Sequence, residues 1–184
     1  KRQESEGTYD AFRDRLIFPI HDESGHPIAF GARSLSPEDQ PKYLNSAEHD
    51  LFYKGKTLYG MHLARPAIVK KKQAIVTEGY TDVIACHAAG FNNVVGTLGT
   101  ALTDDHARKL ARLGDRIVLI FDGDEAGQNA AERAVRNVFR HPVDVAICVL
   151  PEGLDPDDLL SRPDGHQQFS DAVDTAVDAI EFLL

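Results

Sequence analysis

Ile117-Val118-Leu119-Ile120-Phe121-Asp122-Gly123-Asp124-Glu125-Ala126-Gly127 is the stretch on which the fold turns. Five consecutive apolar residues, four of them β-branched or aromatic, predict a strand buried on both faces, as in a parallel sheet between helices. The run stops at once in three carboxylates, with Gly123 letting the backbone turn without a Cβ clash. Three anions this close repel one another unless their pKa values rise or a hard cation joins them. Oxygen-only ligands suit Mg²⁺, Mn²⁺ or Ca²⁺ better than zinc. An ordinary helix start, where negative charge is favoured, would look the same in isolation.

The flanking segments alternate in the same way. Ala74–Thr77 reads as a strand running into Glu78-Gly79, and Thr81–Ala89 as a helix with Val83, Ile84 and His87 on one face and Gly90 as its stop. Asn93–Leu98 is a second strand. Thr103 caps the next helix, which has Asp104 and Asp105 in its first turn and Gly114 beyond its end. Gly127–Arg140 is predicted helical and Val143–Leu150 a fourth strand. Strands alternating with helices imply a parallel sheet covered on both faces.

In such a sheet the working groups gather at the carboxyl ends of the strands. Three of the four predicted strands end there in acids: Glu78, then Asp122 and Asp124, then Asp155 and Asp157, with Asp82 one helical turn from Glu78. One acidic loop is common, and three at one edge point to a divalent-cation site. Cations held there would polarise phosphoryl oxygens and assist nucleotidyl or phosphodiester transfer. No P-loop, dinucleotide turn, nucleophile elbow or zinc signature is present.

The first part of the chain differs in character. Leu16–Ile20 and Pro27–Arg33 flank an Asp-Glu-Ser-Gly turn and predict a β-hairpin, with Pro19 favouring an edge strand. Ser36–Gly60 lacks periodicity and mixes Lys42, Lys54 and Lys56 with Tyr43, Tyr53, Tyr59 and Asn45, a composition suited to phosphates and bases, or to a plain surface loop over a sheet edge. Leu58–Pro66 is predicted as a short helix ended by Pro66, followed by a solvated Lys70-Lys71-Lys72 linker. Gln168–Leu184, with apolar residues at spacings of three and four, reads as one amphipathic helix.

Composition sets the bounds. The chain has 184 residues, 42% of them hydrophobic, enough to bury a core, and no apolar run of the roughly 20 residues that would cross a bilayer. The net charge is −9, divided as +2 over residues 1–73 and −11 over residues 74–184. A mildly basic front and an acidic back suit a division between gripping phosphates and holding cations. Cys86 and Cys148 read as buried thiols of a reducing cytoplasm. Starting on Lys1 and ending on uncovered apolar residues, the chain is expected to be a piece of a longer protein.

Glu78-Gly79-Tyr80-Thr81-Asp82, Asp122-Gly123-Asp124 and Asp155-Pro156-Asp157 resemble the Toprim motifs shared by bacterial primases, topoisomerases and some nucleases. Pro41–Ser46, Lys54–Gly60 and the hairpin Phe18-Pro19-Ile20 with Phe30-Gly31-Ala32-Arg33 resemble the segments of the bacterial replicative primase, so the likeness covers nearly the whole chain. It implies a Toprim-type α/β fold, a parallel sheet flanked by helices, preceded by a smaller mixed α+β subdomain with a β-hairpin. The expected units are residues 1–73, a basic template- and nucleotide-binding subdomain; 74–150, the Toprim domain; and 151–184, the third acidic motif and the start of a helical subdomain.

The same likeness implies a cytoplasmic DNA-dependent RNA polymerase that makes short primers on single-stranded DNA from ribonucleoside triphosphates. Glu78, Asp122 and Asp124 would be catalytic. Together with Asp155 and Asp157 they would hold two or more Mg²⁺ or Mn²⁺ ions, with Asp82 in support. Arg33, Lys42, Asn45 and Lys54 match positions for nucleotide phosphates and template. Implied partners are the template, the ribonucleotides, the RNA primer and, through a carboxy-terminal domain, the replicative helicase; no zinc and no membrane are expected. The alternatives are another Toprim enzyme, a topoisomerase or nuclease, or a receiver-like metal-binding signalling module.

Overall fold

The computed structural model describes residues 10–121, 135–136 and 138–182. Two sheets organise them. Strands β1 (Arg15–His21), β2 (Pro27–Ser34) and β3 (Tyr43–Asn45) form an antiparallel sheet in that order. β1 and β2 are the predicted hairpin, with Phe18 opposite Gly31 and Pro19 opposite Phe30. β1 is the edge strand, where Pro19 withholds no ladder donor from a second neighbour.

The second sheet has the order β5-β4-β6-β7-β8. Its members are β4 (Gln73–Thr77), β5 (Val94–Gly96), β6 (Arg116–Phe121), β7 (Asp144–Val149) and β8 (Val177–Asp178), with only β8 antiparallel. The central strands bury alternate residues on opposite sides. Val76, Ile117, Leu119 and Ile147 join α1 (Met61–Lys71) and α3 (Asp104–Ala111) in one core, to which Val135 and Val138 also belong. Ile75, Val118, Ile120 and Cys148 join α2 (Tyr80–Ala88), α4 (Pro156–Leu160) and α5 (Gly165–Asp174) in the other. The sheet is therefore covered on both faces, as the unbroken apolar runs require.

Four local expectations are corrected. The helix expected over Leu58–Pro66 is Met61–Lys71, with Pro66 inside it and Lys70 and Lys71 in its last turn rather than in a linker. A mid-helix proline costs about 3 kcal/mol, and burial of Met61, Ala64 and Ile68 at helical spacing offsets it. The α2 core face carries Val83 and Cys86, whereas Ile84 is exposed.

Nor is Gln168–Leu184 a single helix. α5 ends at Asp174, β8 pairs along β7, and α6 (Ala179–Phe182) follows. The unpaired edge of β7 captures the chain there, leaving Val177 and Ile180 exposed although they fit the helical pattern. The helix expected over residues 127–140 lies largely outside the described residues.

His106, in the first turn of α3, is fully buried. Burial holds its imidazole neutral and lowers its pKa to about 4. An unfolded chain takes up that proton near the ordinary value, so stability present above pH 6.5 is lost as pH falls towards 4. Between pH 7 and 5 this one group removes about 2 kcal/mol. Urea unfolding of wild type and His106→Leu at the two pH values checks it: the wild-type midpoint falls more steeply than that of the variant, and equal falls would disprove the assignment.

Candidate active site

The carboxyl end of the parallel sheet opens into a cavity of about 290 Å³. β4 delivers Glu78, the residue after its last, to this edge, where its side chain is exposed and lines the cavity. Gly79 then turns the chain into α2. Asp82 Oδ2 accepts the Gly79 N–H at 2.9 Å, closing the helix start back on itself. A Cβ on Gly79 would lie 2.7 Å from that oxygen, so the glycine is what lets Asp82 fold back. Asp82 is buried and lines the same cavity. The Glu-Gly-Tyr-Thr-Asp spacing thus puts one acid outward at the strand end and ties the other to the backbone behind it.

From the opposite side, β7 leads through Leu150–Leu154 to Asp155, which lines the cavity too. Asp155 Oδ1 accepts the Asp158 N–H at 2.7 Å and caps α4, so an ordinary helix-start role and a place on the cavity wall coexist in this residue. Asp157 lines a separate groove with Ala85 and Ala88 of α2 and Ala89 just beyond it. Asp122 and Asp124, which follow β6 in sequence, lie outside the described residues. Among the described residues, no group of three or more His, Cys, Asp or Glu side chains is arranged to hold a metal ion.

The small sheet supplies the facing wall. Lys42, Tyr43 and Asn45 line the cavity, and the Arg33 guanidinium and Lys42 ammonium each lie 5.8 Å from the centre of the Tyr43 ring. Asn45 is held at both ends: its Nδ2 donates to the Leu98 carbonyl at 3.1 Å and its Oδ1 accepts from the Tyr80 hydroxyl. Lys54 sits elsewhere, in a 3₁₀ turn packed against α3, and lines no part of this cavity. The structure therefore gathers Glu78, Asp82, Asp155, Lys42 and Asn45, sets Arg33 one ring away, and places Asp157 and Lys54 off the cavity.

Tyr80 is the residue whose role the sequence reading passes over. Its ring stacks on Phe18 at 5.0 Å, meets Tyr59 edge-on at 4.8 Å and tilts against Tyr43 at 6.3 Å. Burial first, then the neighbouring phenols, raise its hydroxyl pKa well above the ordinary value. Gly31 on β2 leaves the room, since a Cβ there would lie 2.4 Å from the Tyr80 ring. A glycine inside a strand is the signal that could have found this contact. The two thiols are buried and raised too, Cys148 to about 12 by desolvation alone.

Comparisons with known proteins agree along the whole chain. Residues 1–65 match the DNA primase catalytic core N-terminal domain, and residues 75–160 match the Toprim-like family. The DNA primase of Halalkalibacterium halodurans is 42% identical over 183 residues, covering 99% of this chain and 30% of that protein. That of Synechococcus elongatus is 49% identical over 167 residues, covering 88% and 24%. The chain spans less than a third of the length of these relatives. Among solved structures, a DNA primase domain from Pseudomonas aeruginosa superposes with a TM-score of 0.90 at 42% identity, covering 100% of this chain and 58% of that one. A DnaG primase catalytic domain bound to single-stranded DNA gives 0.87 at 39% identity, with 95% and 56% covered.

Proposed function

This chain belongs to the bacterial DNA primase family, matching part of its catalytic core, and from that membership we propose that it carries the nucleotidyl-transfer site of a DNA-dependent RNA polymerase. Its substrates are ribonucleoside triphosphates and a growing RNA primer paired to single-stranded DNA, in the bacterial cytoplasm. The relatives bear the name DNA primase, and one similar catalytic domain is a complex with single-stranded DNA. The observation that carries the reading is the single cavity in which the acids Glu78 and Asp155 face the cation Lys42 and the ring of Tyr43.

The donor set fits a hard cation. Among the described residues, carboxylates line the cavity and no Cys or His does. Glu78, Asp155 and the sequence-assigned Asp122 and Asp124 would hold Mg²⁺ or Mn²⁺, whereas Asp157 opens onto the neighbouring groove. Bound there, such ions polarise phosphoryl oxygens and neutralise charge at the leaving group. Asp155 commits Oδ1 to its helix cap, leaving Oδ2 for ligation, and Asp82 keeps the Glu78–Gly79 turn fixed. Lys42 and Arg33, placed about the Tyr43 ring, meet triphosphate or template phosphates as point and planar cations respectively. The attacking group is the 3′-hydroxyl of the primer, so no covalent enzyme intermediate forms. Burial raises the Tyr59 and Tyr80 phenols away from the anionic form, which disfavours a tyrosine nucleophile of topoisomerase type.

The division of labour follows the two sheets. Residues 1–73 present template and nucleotide contacts, 74–150 the first two acidic loops, and 151–184 the third acidic motif. The longer relatives leave room for a carboxy-terminal domain through which the replicative helicase would be engaged.

Calorimetric titration of Mn²⁺ into the metal-free protein tests the site, with wild type beside Asp155→Asn and Asp122→Asn and a ribonucleoside triphosphate present or absent. Wild type binds at least one ion, each variant loses heat of binding, and nucleotide binding requires the metal. Equal titration curves for all three proteins would refute the assignment.

A further inference from the structure

The 3₁₀ turn Lys54–Lys56 carries two of the chain's loop cations, and its backbone is held in an unusual way. All three of its carbonyls receive side-chain donors from α3 and its N-cap residue. Thr103 Oγ1 donates to the Gly55 carbonyl at 2.6 Å, His106 Nε2 to that of Lys54 at 2.9 Å and Lys109 Nζ to that of Lys56 at 2.6 Å. The donors recur every three residues, so they share a helix side. Lys109 also reaches Glu23 Oε1 at 2.8 Å, extending the tie to the β1–β2 turn.

The fit is close on both sides. His106 is fully buried, and a Cβ on Gly55 would already touch Thr103 Cγ2 at 3.5 Å. Carbonyl oxygens carry partial negative charge and would repel a phosphate. Turned into α3 and paired, they are withdrawn from an anion approaching Lys54 and Lys56, although Lys56 shares its groove with Lys109 and with the carboxylates of Asp22, Glu23 and Asp50. The Lys56 ammonium lies 5.4 Å from the centre of the exposed Tyr53 ring, a cation beside an aromatic surface of the kind that suits a single strand.

We propose that Thr103, His106 and Lys109 are positioning residues that hold the Lys54–Gly55–Lys56 carbonyls inward, so that Lys54 and Lys56 present their ammonium groups to the phosphodiester backbone of single-stranded DNA. The inference rests on the template-binding reading above and adds the device that builds the contact. Lys54 acts away from the catalytic cavity, so the clamp governs template affinity rather than the chemical step.

Fluorescence anisotropy of a labelled oligodeoxythymidine across a KCl series tests this in a double-mutant cycle of His106→Leu with the pair Lys54→Ala/Lys56→Ala. Removing the lysines weakens binding and lowers the salt slope by about one unit or more. His106→Leu alone weakens it by about tenfold or less, also with a shallower slope, and costs nothing further once the lysines are gone. His106→Gln, which keeps an N–H near the Nε2 position, restores most of the affinity. Lys109→Met goes through the same cycle, so failure of His106→Leu to fold does not end the test; loss of its own charge would be additive, loss of clamping is not. Strictly additive effects, or wild-type binding by both clamp variants while the lysine pair is impaired, overturn the clamp and spare the template reading. Unchanged binding by the lysine pair overturns both.

Discussion

Glu78→Gln lowers elongation of an RNA oligonucleotide annealed to a DNA template by about a thousandfold or more while leaving the protein folded. The size follows from where the carboxylate sits. β4 is flanked by β5 and β6, so the residue that leaves its carboxyl end stands inside the sheet edge, with β6 ending alongside at Phe121, the residue before Asp122. If the proposed divalent-cation site is correct, losing one of its anions removes several kcal/mol of transition-state stabilisation, and losses of about 10²–10³ are typical when one such group is deleted.

Stability moves little, because Glu78 is exposed while the residues that pin the strand, Ile75, Val76 and Thr77, are buried beneath it. The Gln amide keeps the shape and removes repulsion among the acids, so melting in metal-free buffer stays level or rises slightly. Elongation by the variant within tenfold of wild type, at saturating Mn²⁺, would sink the assignment of Glu78 as a catalytic ligand. Loss of activity accompanied by loss of cooperative melting would show a structural role instead.

How far the sequence reveals this protein differs from element to element. Its parallel sheet was readable because β4, β6 and β7 are buried on both faces, and such strands must be apolar at every position. The order β5-β4-β6-β7 was not, since alternation fixes neighbours in the chain and not in space. The helix boundary at Pro66 failed because a proline penalty of about 3 kcal/mol was set against no knowledge of what Met61, Ala64 and Ile68 bury. The last segment failed for a related reason: its spacing is helical, but a strand edge on β7 competes for the same residues.

In the site, Glu78, Asp82 and Asp155 were findable because acids at strand ends stand out against apolar runs. Two kinds of residue were not. Tyr80 and Leu98 act through contacts across 35 and 53 positions of chain, to Asn45 in both cases. Thr103, His106 and Lys109 reach the Lys54–Lys56 turn across about 50 positions, and in sequence they look like any amphipathic helix start. Asp157 and Lys54 stand off the cavity, and a strand-end position or a basic loop composition carries no direction for a side chain.

Gly31→Ala joins these two scales. The added methyl group would stand 2.4 Å from the Cζ and hydroxyl oxygen of Tyr80 and 2.8 Å from Cε2, well inside van der Waals contact. The ring has no easy retreat. Phe18 stacks on one face with the planes 5° apart, Tyr59 closes the edge, and the hydroxyl is held by Asn45. Overpacking of this kind costs about 1–3 kcal/mol, and here the backbone of β2 is also fixed by pairing on both sides, to β1 and β3. A destabilisation of about 3 kcal/mol is expected, which for a chain of this size lowers the melting temperature by about 6–10 °C.

The damage is not confined to stability. If Tyr80 yields, its bond to Asn45 goes, and with it one end of the link that ties β3 to Leu98 and sets the cavity wall opposite Glu78. Nucleotide affinity should therefore fall together with the melting temperature, although Gly31 is not among the residues that line the cavity. Tyr80→Leu separates the two causes. Alone it costs stability by losing the stacked ring, but on the Gly31→Ala background it relieves the clash, so the double variant melts above the sum of the single losses. A Gly31→Ala protein that melts within a degree of wild type, or losses that simply add, would mean that the hairpin and α2 do not meet through this ring.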